Sequence, residues 1–243
     1  MNIIKLDAID STNNYLKSLL NDKCIDDYTV VTAKFQKKGK GQMGRVWESE
    51  VSKNLMCSVY LSNSIIKLTD QFIINILVCL AIKKSLNKFN VPQLSVKWPN
   101  DIMSGKNKIC GILIENIINM NSIQDIIIGI GLNVNQTEYK NLPNAISLKM
   151  INGKHYNIDE ILFEIINDIK FYYKLLENGK QLQLYKQYKN SLYRINKPSM
   201  FRLANKELIP GYIKGVNEYG MLIIQMEDDV EKTFGLKQIS LVN

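Results

Sequence analysis

Residues 97–115 read Lys97-Trp98-Pro99-Asn100-Asp101-Ile102-Met103-Ser104-Gly105-Lys106-Asn107-Lys108-Ile109-Cys110-Gly111-Ile112-Leu113-Ile114-Glu115. The apolar run Leu94 to Trp98 predicts a strand, and Pro99 ends it, since proline cannot donate to a ladder and restricts the residue before it. Asn100 and Asp101 then project from the strand end. After a short turn Lys108 opens a second apolar β run, Ile109 to Ile118. Amide, carboxylate and ammonium can converge there, a set able to bind a phosphate and a carboxylate together. Taken alone, the segment also fits a hairpin with a surface Lys–Asp pair.

Outward from this point the pattern is that of a mixed α/β fold. Ile126 to Val134 predicts another central strand, and its Gly129-Ile130-Gly131-Leu132-Asn133 suggests that a flat group approaches the backbone closely. Upstream, Ile3 to Leu6, Thr29 to Phe35 and Leu55 to Leu61 read as strands. Ser11-Thr12-Asn13 sits where an N-cap would precede a short helix carrying Tyr15, Leu16, Leu19 and Leu20. Thr69 to Phe89 predicts a long buried helix, and the spacing of Ile161, Leu162, Ile165, Ile166, Ile169, Tyr172, Tyr173 and Leu176 a second, stopped by Gly179. After about Asn196 short β runs alternate with turn-formers, which predicts a small barrel. The expected organisation is an α/β (α+β) domain over 1–195 with a mixed sheet, followed by a small β domain over 196–243.

The 243 residues carry a formal charge of +8, which favours anionic partners without choosing among nucleic acid, nucleotide and acidic protein. Hydrophobic residues make up 46%, within the range of folded globular chains. Lys5, Asp7 and Asp10 interrupt the first apolar stretch, and the run Phe72 to Ile82 is too short to span a bilayer, so the expectation is a cytoplasmic protein without a membrane anchor. Cys24, Cys57, Cys79 and Cys110 form no C-x-x-C pair and read as buried small hydrophobes. The single histidine, His155, lies in a turn-like stretch, which disfavours mechanisms that need a catalytic histidine.

Gly39-Lys40-Gly41-Gln42-Met43-Gly44 matches G-x-G-x-x-G, yet it runs through Arg45 into Trp47 and another strand instead of opening a helix. It reads as a flexible cationic loop suited to closing over an anion.

In order, Ser11-Thr12-Asn13, then Gln36 with the Gly-Lys-Gly loop and Trp47, then Lys-Trp-Pro-Asn-Asp, then Lys108 with Gly-Ile-Leu-Ile-Glu, then Gly-x-Gly-x-Asn resembles the motif series of the biotin–protein ligases. Gly220, Phe234 and Ile239-Ser240-Leu241 are similar to the family's SH3-like C-terminal domain. The resemblance implies a class II synthetase-like fold, ATP and biotin as substrates, Mg²⁺ as cofactor, and a biotin carboxyl carrier protein, by default that of acetyl-CoA carboxylase, as partner. It implies a monomer or homodimer. By position it implies that Ser11, Thr12, Asn13, Gln36, Lys40, Gly41, Gln42, Lys108, Gly111 and Leu113 bind biotin. Gly39, Lys40, Gln42, Arg45, Trp47, Asn100, Lys108 and Asn133 would bind ATP or the adenylate. Lys108, Lys40 and Asp101 would be catalytic, with Asp101 a candidate for Mg²⁺ or for the acceptor's proton. Lys40 departs from the family's usual arginine, and Gln42 and Met43 from arginines found in some members. With the Ser-Thr-Asn motif at residue 11, no operator-binding domain is expected. The alternative on a related fold is a lipoate or octanoate ligase or transferase, whose Arg-Arg-x-Gly-Gly-Gly signature is missing. A nucleic-acid module would want aromatics among the cations of Gln36 to Arg45, which has none.

Overall fold

The computed structural model describes residues 2–22, 24–62, 65–120, 122–140 and 142–242. Its first sheet contains β1 (Ile3–Ile9), β2 (Val30–Gln36), β3 (Leu55–Ser62), β4 (Leu94–Lys97), β5 (Asp101–Ser104), β6 (Asn107–Asn119) and β7 (Ser122–Leu132), in the order β1-β2-β3-β7-β6-β5-β4. Only β1 and β2 pair in parallel, because α1 (Thr12–Asp22) makes the crossover between them; every other neighbour is antiparallel.

Strand alternation divides this sheet into two unlike faces. Cys57, Val59, Leu61, Cys110, Ile112, Ile126, Ile128, Ile130 and Leu132 are buried in the main core with α2 (Phe72–Lys88) and α4 (Ile158–Glu177). α2 is apolar nearly all round, which only a helix buried on most sides can be. The other face presents Ser58, Gly111, Leu113, Glu115, Gly129 and Gly131, with Leu16 of α1 packing on Tyr60 and Ile127 at one end. Small and polar residues on that face leave room where the opposite face is filled.

Three features depart from the expectations. Asp101 does not trail off a strand end but opens β5, which pairs back on β4 with Lys97 opposite Asp101. The turn between them is anchored at the Pro99 carbonyl by Asn75 Nδ2 (2.6 Å) and Tyr188 OH (3.1 Å), contacts distant in sequence. Two further helices appear, α3 (Leu148–Asn152), capped by Ser147, and α5 (Gln181–Ser191), whose apolar stripe is reduced to Leu184 and Tyr188. Cys24 is exposed, since it lies beyond the end of α1, whereas Cys57, Cys79 and Cys110 are buried as expected.

The second sheet holds β8 (Pro198–Leu203), β9 (Leu208–Val216), β10 (Leu222–Gln225), β11 (Glu231–Phe234) and β12 (Ile239–Leu241) in the order β11-β10-β9-β8-β12. The small β domain expected after about Asn196 is thus present as a five-stranded antiparallel sheet, with no pairing between its outer strands β11 and β12 among the described residues. Phe201, Ile213, Leu222, Ile224 and Ile239 belong to the same buried cluster as the first sheet. Among the described residues no helix is long and apolar enough to cross a membrane.

One charged group lies inside the helical layer. The Asp168 carboxylate on α4 accepts from Lys84 (2.9 Å), Lys88 (2.9 Å) and Ser85 (2.7 Å), all on α2. Burial pushes its pKa up, but these three donors outweigh burial and hold it below the usual carboxylate value. A lowered folded pKa gives stability that is complete above the unfolded value, near pH 3.9, and is lost as pH falls through the folded one. Asp168→Asn should therefore cost about 3 kcal/mol at pH 7 in urea unfolding, with the gap to the parent narrowing toward pH 3. Equal midpoints at pH 7 would remove the latch from the stability of the α2–α4 pair.

Candidate functional site

The bare face of β6 and β7 is the floor of a cavity of about 740 Å³, within the size range of small-molecule sites. One end is polar and uncharged. Ser11, Thr12 and Asn13 enter it from the start of α1, and all three are buried. Gln36 Oε1 accepts the Thr12 backbone N–H (2.8 Å), which leaves the Gln36 amide nitrogen, beside Gly39, as a donor. Ser58 Oγ is 2.7 Å from Thr12 Oγ1 and 2.5 Å from Asn13 Oδ1. A hydroxyl has one proton, and an amide oxygen can only accept, so Ser58 donates to Asn13, while the one Thr12 hydroxyl proton faces both Ser58 Oγ and Gln36 Oε1, the latter at 3.1 Å. Asn13 Nδ2 donates to Glu115 Oε2 (2.7 Å), and Lys17 pairs with Glu115 Oε1 (2.6 Å). The Asn13 amide lies against Gly129, where a Cβ would stand 2.6 Å from Oδ1.

Across the middle of the floor lies Trp47. A Cβ at Gly131 would meet its ring at 2.5 Å, and one at Gly111 would sit 3.1 Å from the ring and 3.1 Å from Lys108 Nζ. The flat group expected over the glycine strand is thus the protein's own indole at Gly131 and the Asn13 amide at Gly129. Trp47 Nε1 is buried with no hydrogen-bond partner among the described residues. Such a donor costs about 1–3 kcal/mol, which an acceptor atom of a ligand would recover. The basic loop folds on itself before reaching Trp47: Gly41 N–H donates to Arg45 O (2.7 Å), and Trp47 N–H to Gly39 O (3.0 Å). A single 3-10 turn, Gln42–Gly44, caps it. Lys40 Nζ donates to Asn14 Oδ1 (2.9 Å), tying the loop to α1.

The far half is cationic. Arg45, Lys97, Lys108, Arg202 and Lys237 line it against the carboxylates of Glu48 and Asp101, while Lys40 lies toward α1, beside Asn14. Lys108 Nζ pairs with Asp101 at 2.6 Å, so the expected convergence is present as an ion pair on the cavity wall. Burial lowers the pKa of Lys97, opposed by Asp101, and the cations of Lys108 and Arg45 push it further down. An incoming polyanion relieves that repulsion. Asn100 donates through Nδ2 to Ile112 O (2.5 Å) and accepts the Ile112 N–H (3.1 Å), so its amide and backbone hold the turn onto β6. Asn133 spends Nδ2 on Ile146 O (3.2 Å) and Lys108 O (3.5 Å), leaving its Oδ1 as the atom able to accept from a base amino group.

All but one of the site residues expected from the sequence line this one cavity: Ser11, Thr12, Asn13, Gln36, Lys40, Gly41, Gln42, Arg45, Trp47, Asn100, Asp101, Lys108, Gly111, Leu113 and Asn133. Gly39 sits behind it, packed on Trp47 and Gln36. Sequence reasoning missed Ser58, Arg202 and Lys237, and gave Glu115 no role beyond its place in a motif. A serine and a glutamate inside otherwise apolar strands were visible signals; the two cations of the second sheet carried none.

Comparison with protein-family models matches residues 6–133, more than half of the chain, to the biotin/lipoate A/B protein ligase family. The chain is 26% identical over 239 residues to the bifunctional ligase/repressor BirA of Bacillus spizizenii, covering 96% of this chain and 72% of that protein. It is 29% identical over 125 residues to the biotin–[acetyl-CoA-carboxylase] ligase of Mycobacterium tuberculosis, covering 50% and 45%. Among solved structures, the biotin protein ligase of Aquifex aeolicus in complex with biotin and ATP superposes with a TM-score of 0.82 at 25% identity, over 100% of this chain and 99% of that one. The ordered motifs, the one cavity that gathers them and a family match spanning most of the first sheet agree, and the chain belongs to the biotin/lipoate A/B protein ligase family.

Proposed function

We propose that this protein is an ATP-dependent biotin–protein ligase, and that it modifies one lysine of a biotin carboxyl carrier domain, by default that of acetyl-CoA carboxylase. The observation that carries the proposal is the division of one cavity into an uncharged, hydrogen-bonding end and a cationic half, with Lys108 at their junction. The uncharged end suits a ureido ring, which offers two N–H donors and a carbonyl. The cationic half suits a triphosphate.

In the first half-reaction the biotin carboxylate attacks the α-phosphorus of ATP; an O–P bond forms, the bond to the bridging oxygen breaks, and pyrophosphate leaves. Lys108 exchanges Asp101 for the two anions, lowers their repulsion, and stabilises charge on the pentacoordinate phosphorus. Arg45, Lys97 and Lys40 bear on the same charge. Trp47 and Asn133 hold the adenine side. In the second half-reaction the carrier's lysine amine attacks the acyl carbon of biotinyl-5′-AMP, an amide forms, AMP leaves, and the amine's proton passes to a base, for which Asp101 is the proposed group. The loop Lys37 to Arg45, tied to α1 through Lys40, closes over the adenylate and shields it from water.

Mg²⁺ commonly binds through one or two carboxylates together with substrate phosphates, and the single carboxylate beside Lys108 fits that donor set. Asp101 would hold the ion, which would screen the triphosphate's charge. We divide the chain into a catalytic unit, 1–195, and a C-terminal unit, 196–243, supported by their separate sheets.

ATP–pyrophosphate exchange tests the substrate assignment directly. Biotin should support exchange, whereas lipoate and octanoate, which offer neither the N–H donors nor the carbonyl of a ureido ring to Ser11, Asn13 and Gln36, should be slower by about two orders of magnitude or more. Comparable rates with the three acids would overturn biotin as the substrate. Lys108→Gln should keep the melting temperature and lose at least about a hundredfold in exchange; normal exchange would take Lys108 out of the mechanism. Limited proteolysis near Lys38 and Lys40 should slow when biotin and ATP are added together, and unchanged cleavage would count against loop closure.

A further inference from the structure

We propose that Glu115 is a positioning residue: its carboxylate dictates which way round the Asn13 amide lies, and thereby sets the hydrogen-bonding polarity of the cavity's uncharged end. The inference rests on the reading of that end as the biotin site.

The Asn13 amide is buried and makes two polar contacts, Nδ2 to Glu115 Oε2 at 2.7 Å and Oδ1 to Ser58 Oγ at 2.5 Å. Rotating it by half a turn would exchange the two ends at almost no steric cost. Ser58 cannot prevent this, because a hydroxyl accepts as readily as it donates. An ionised carboxylate can only accept, so the reversed amide would set two oxygens against each other. Glu115 is therefore the group that discriminates. It remains ionised in spite of its position on β6: burial pushes its pKa up, but the bonds from Lys17 and Asn13 outweigh burial and hold it below the usual value. With Nδ2 committed to Glu115, the amide atom lying over Gly129 is the oxygen, an acceptor for a ring N–H. Lys17 and Glu115 are not cavity-lining residues, whereas Asn13 and Gly129 are, so the control is exerted from outside the site.

Glu115→Gln keeps the size and removes the dictation, since the new amide both donates and accepts. In biotin-dependent pyrophosphate exchange near pH 7.5 this variant should raise the KM for biotin about tenfold, the scale of one misplaced buried hydrogen bond, while the KM for ATP stays within about twofold. Asn13→Ala should raise the biotin KM as well, and in that background E115Q should add nothing. A full additional effect of E115Q in the N13A enzyme, a parallel rise in the ATP KM, or an unchanged biotin KM would each overturn the proposal. Lys17→Met supplies a second test, independent of whether E115Q folds. It breaks the ion pair but leaves the carboxylate on Asn13, so its biotin KM should remain within about threefold of the parent, and a tenfold rise would assign the effect to the ion pair instead. The parent enzyme reports separately on the substrate: no exchange with biotin would overturn both the biotin assignment and this role, whereas exchange with additive variants would overturn Glu115 alone.

Discussion

The absence of side chains at Gly111, Gly129 and Gly131 is the constraint from which the rest of the site follows. Gly111 and Gly131 are direct cross-strand partners and Gly129 faces Leu113, so the three bare positions form one patch on one face of the central β6–β7 pair. The opposite face is filled with isoleucine, leucine and cysteine against α2. Glycine weakens a strand, by about 0.5–1 kcal/mol relative to alanine. Here the loss is offset by a buried opposite face and by long antiparallel partners on both sides. What it leaves is a floor on which planar groups lie directly on backbone: an amide at one glycine and an indole at the next.

The same floor separates two electrostatic regimes. Toward α1, Lys17 and Glu115 neutralise each other behind the Asn13 amide, and Lys40 Nζ is held by Asn14. Toward the turn Trp98–Asn100, cations exceed carboxylates and repel one another, as the lowered pKa of Lys97 records. Lys108 stands where the regimes meet and rests on Asp101. A resting ion pair of this kind protects the lysine's charge without committing it, because a partly exposed pair contributes little stability and exchanges at small cost for a more highly charged ligand.

How far the site was legible depended on whether its logic was local. The Lys-Trp-Pro-Asn-Asp stretch, the glycine strand and the Ser-Thr-Asn helix start each declare a turn, a close approach or a cap within a few residues, and all three lead to the same cavity. The hairpin of β4 and β5 did not declare itself, because its turn is held by Asn75 and Tyr188, 24 and 89 residues from Pro99. α5 was hidden by its composition, since two buried apolar residues in eleven make too weak a stripe for periodicity to reveal. Glu115 was read as part of a motif and not as a charge in a buried strand, although it stands on the glycine face, opposite Ile127. The second sheet was legible for the same reason as the motifs: short apolar runs split by turn-formers declare a small β domain locally, and its five strands follow them.

The second sheet bears on the chemistry through one junction. Trp98 Nε1 donates to Gly220 O (2.9 Å), and Gly220, with φ +77°, sits so close to Phe72 that no side chain fits there. Tyr193 N–H reaches back to Val96 O (2.8 Å) and Asn196 N–H reaches on to Ile213 O (3.0 Å), so the connecting segment is bonded to both sheets. Phe72 packs edge-on against Tyr188, whose hydroxyl holds the Pro99 carbonyl. The strand end that delivers Asp101, the helix that carries Tyr188 and the turn that carries Gly220 are therefore fixed to one another within a few residues. Arg202 and Lys237 reach the cavity from the second sheet only because that junction sets its position. The charge surrounding a ligand in the cationic half is consequently a property of both sheets together, and a change at Gly220, which does not line the cavity, bears on it from outside.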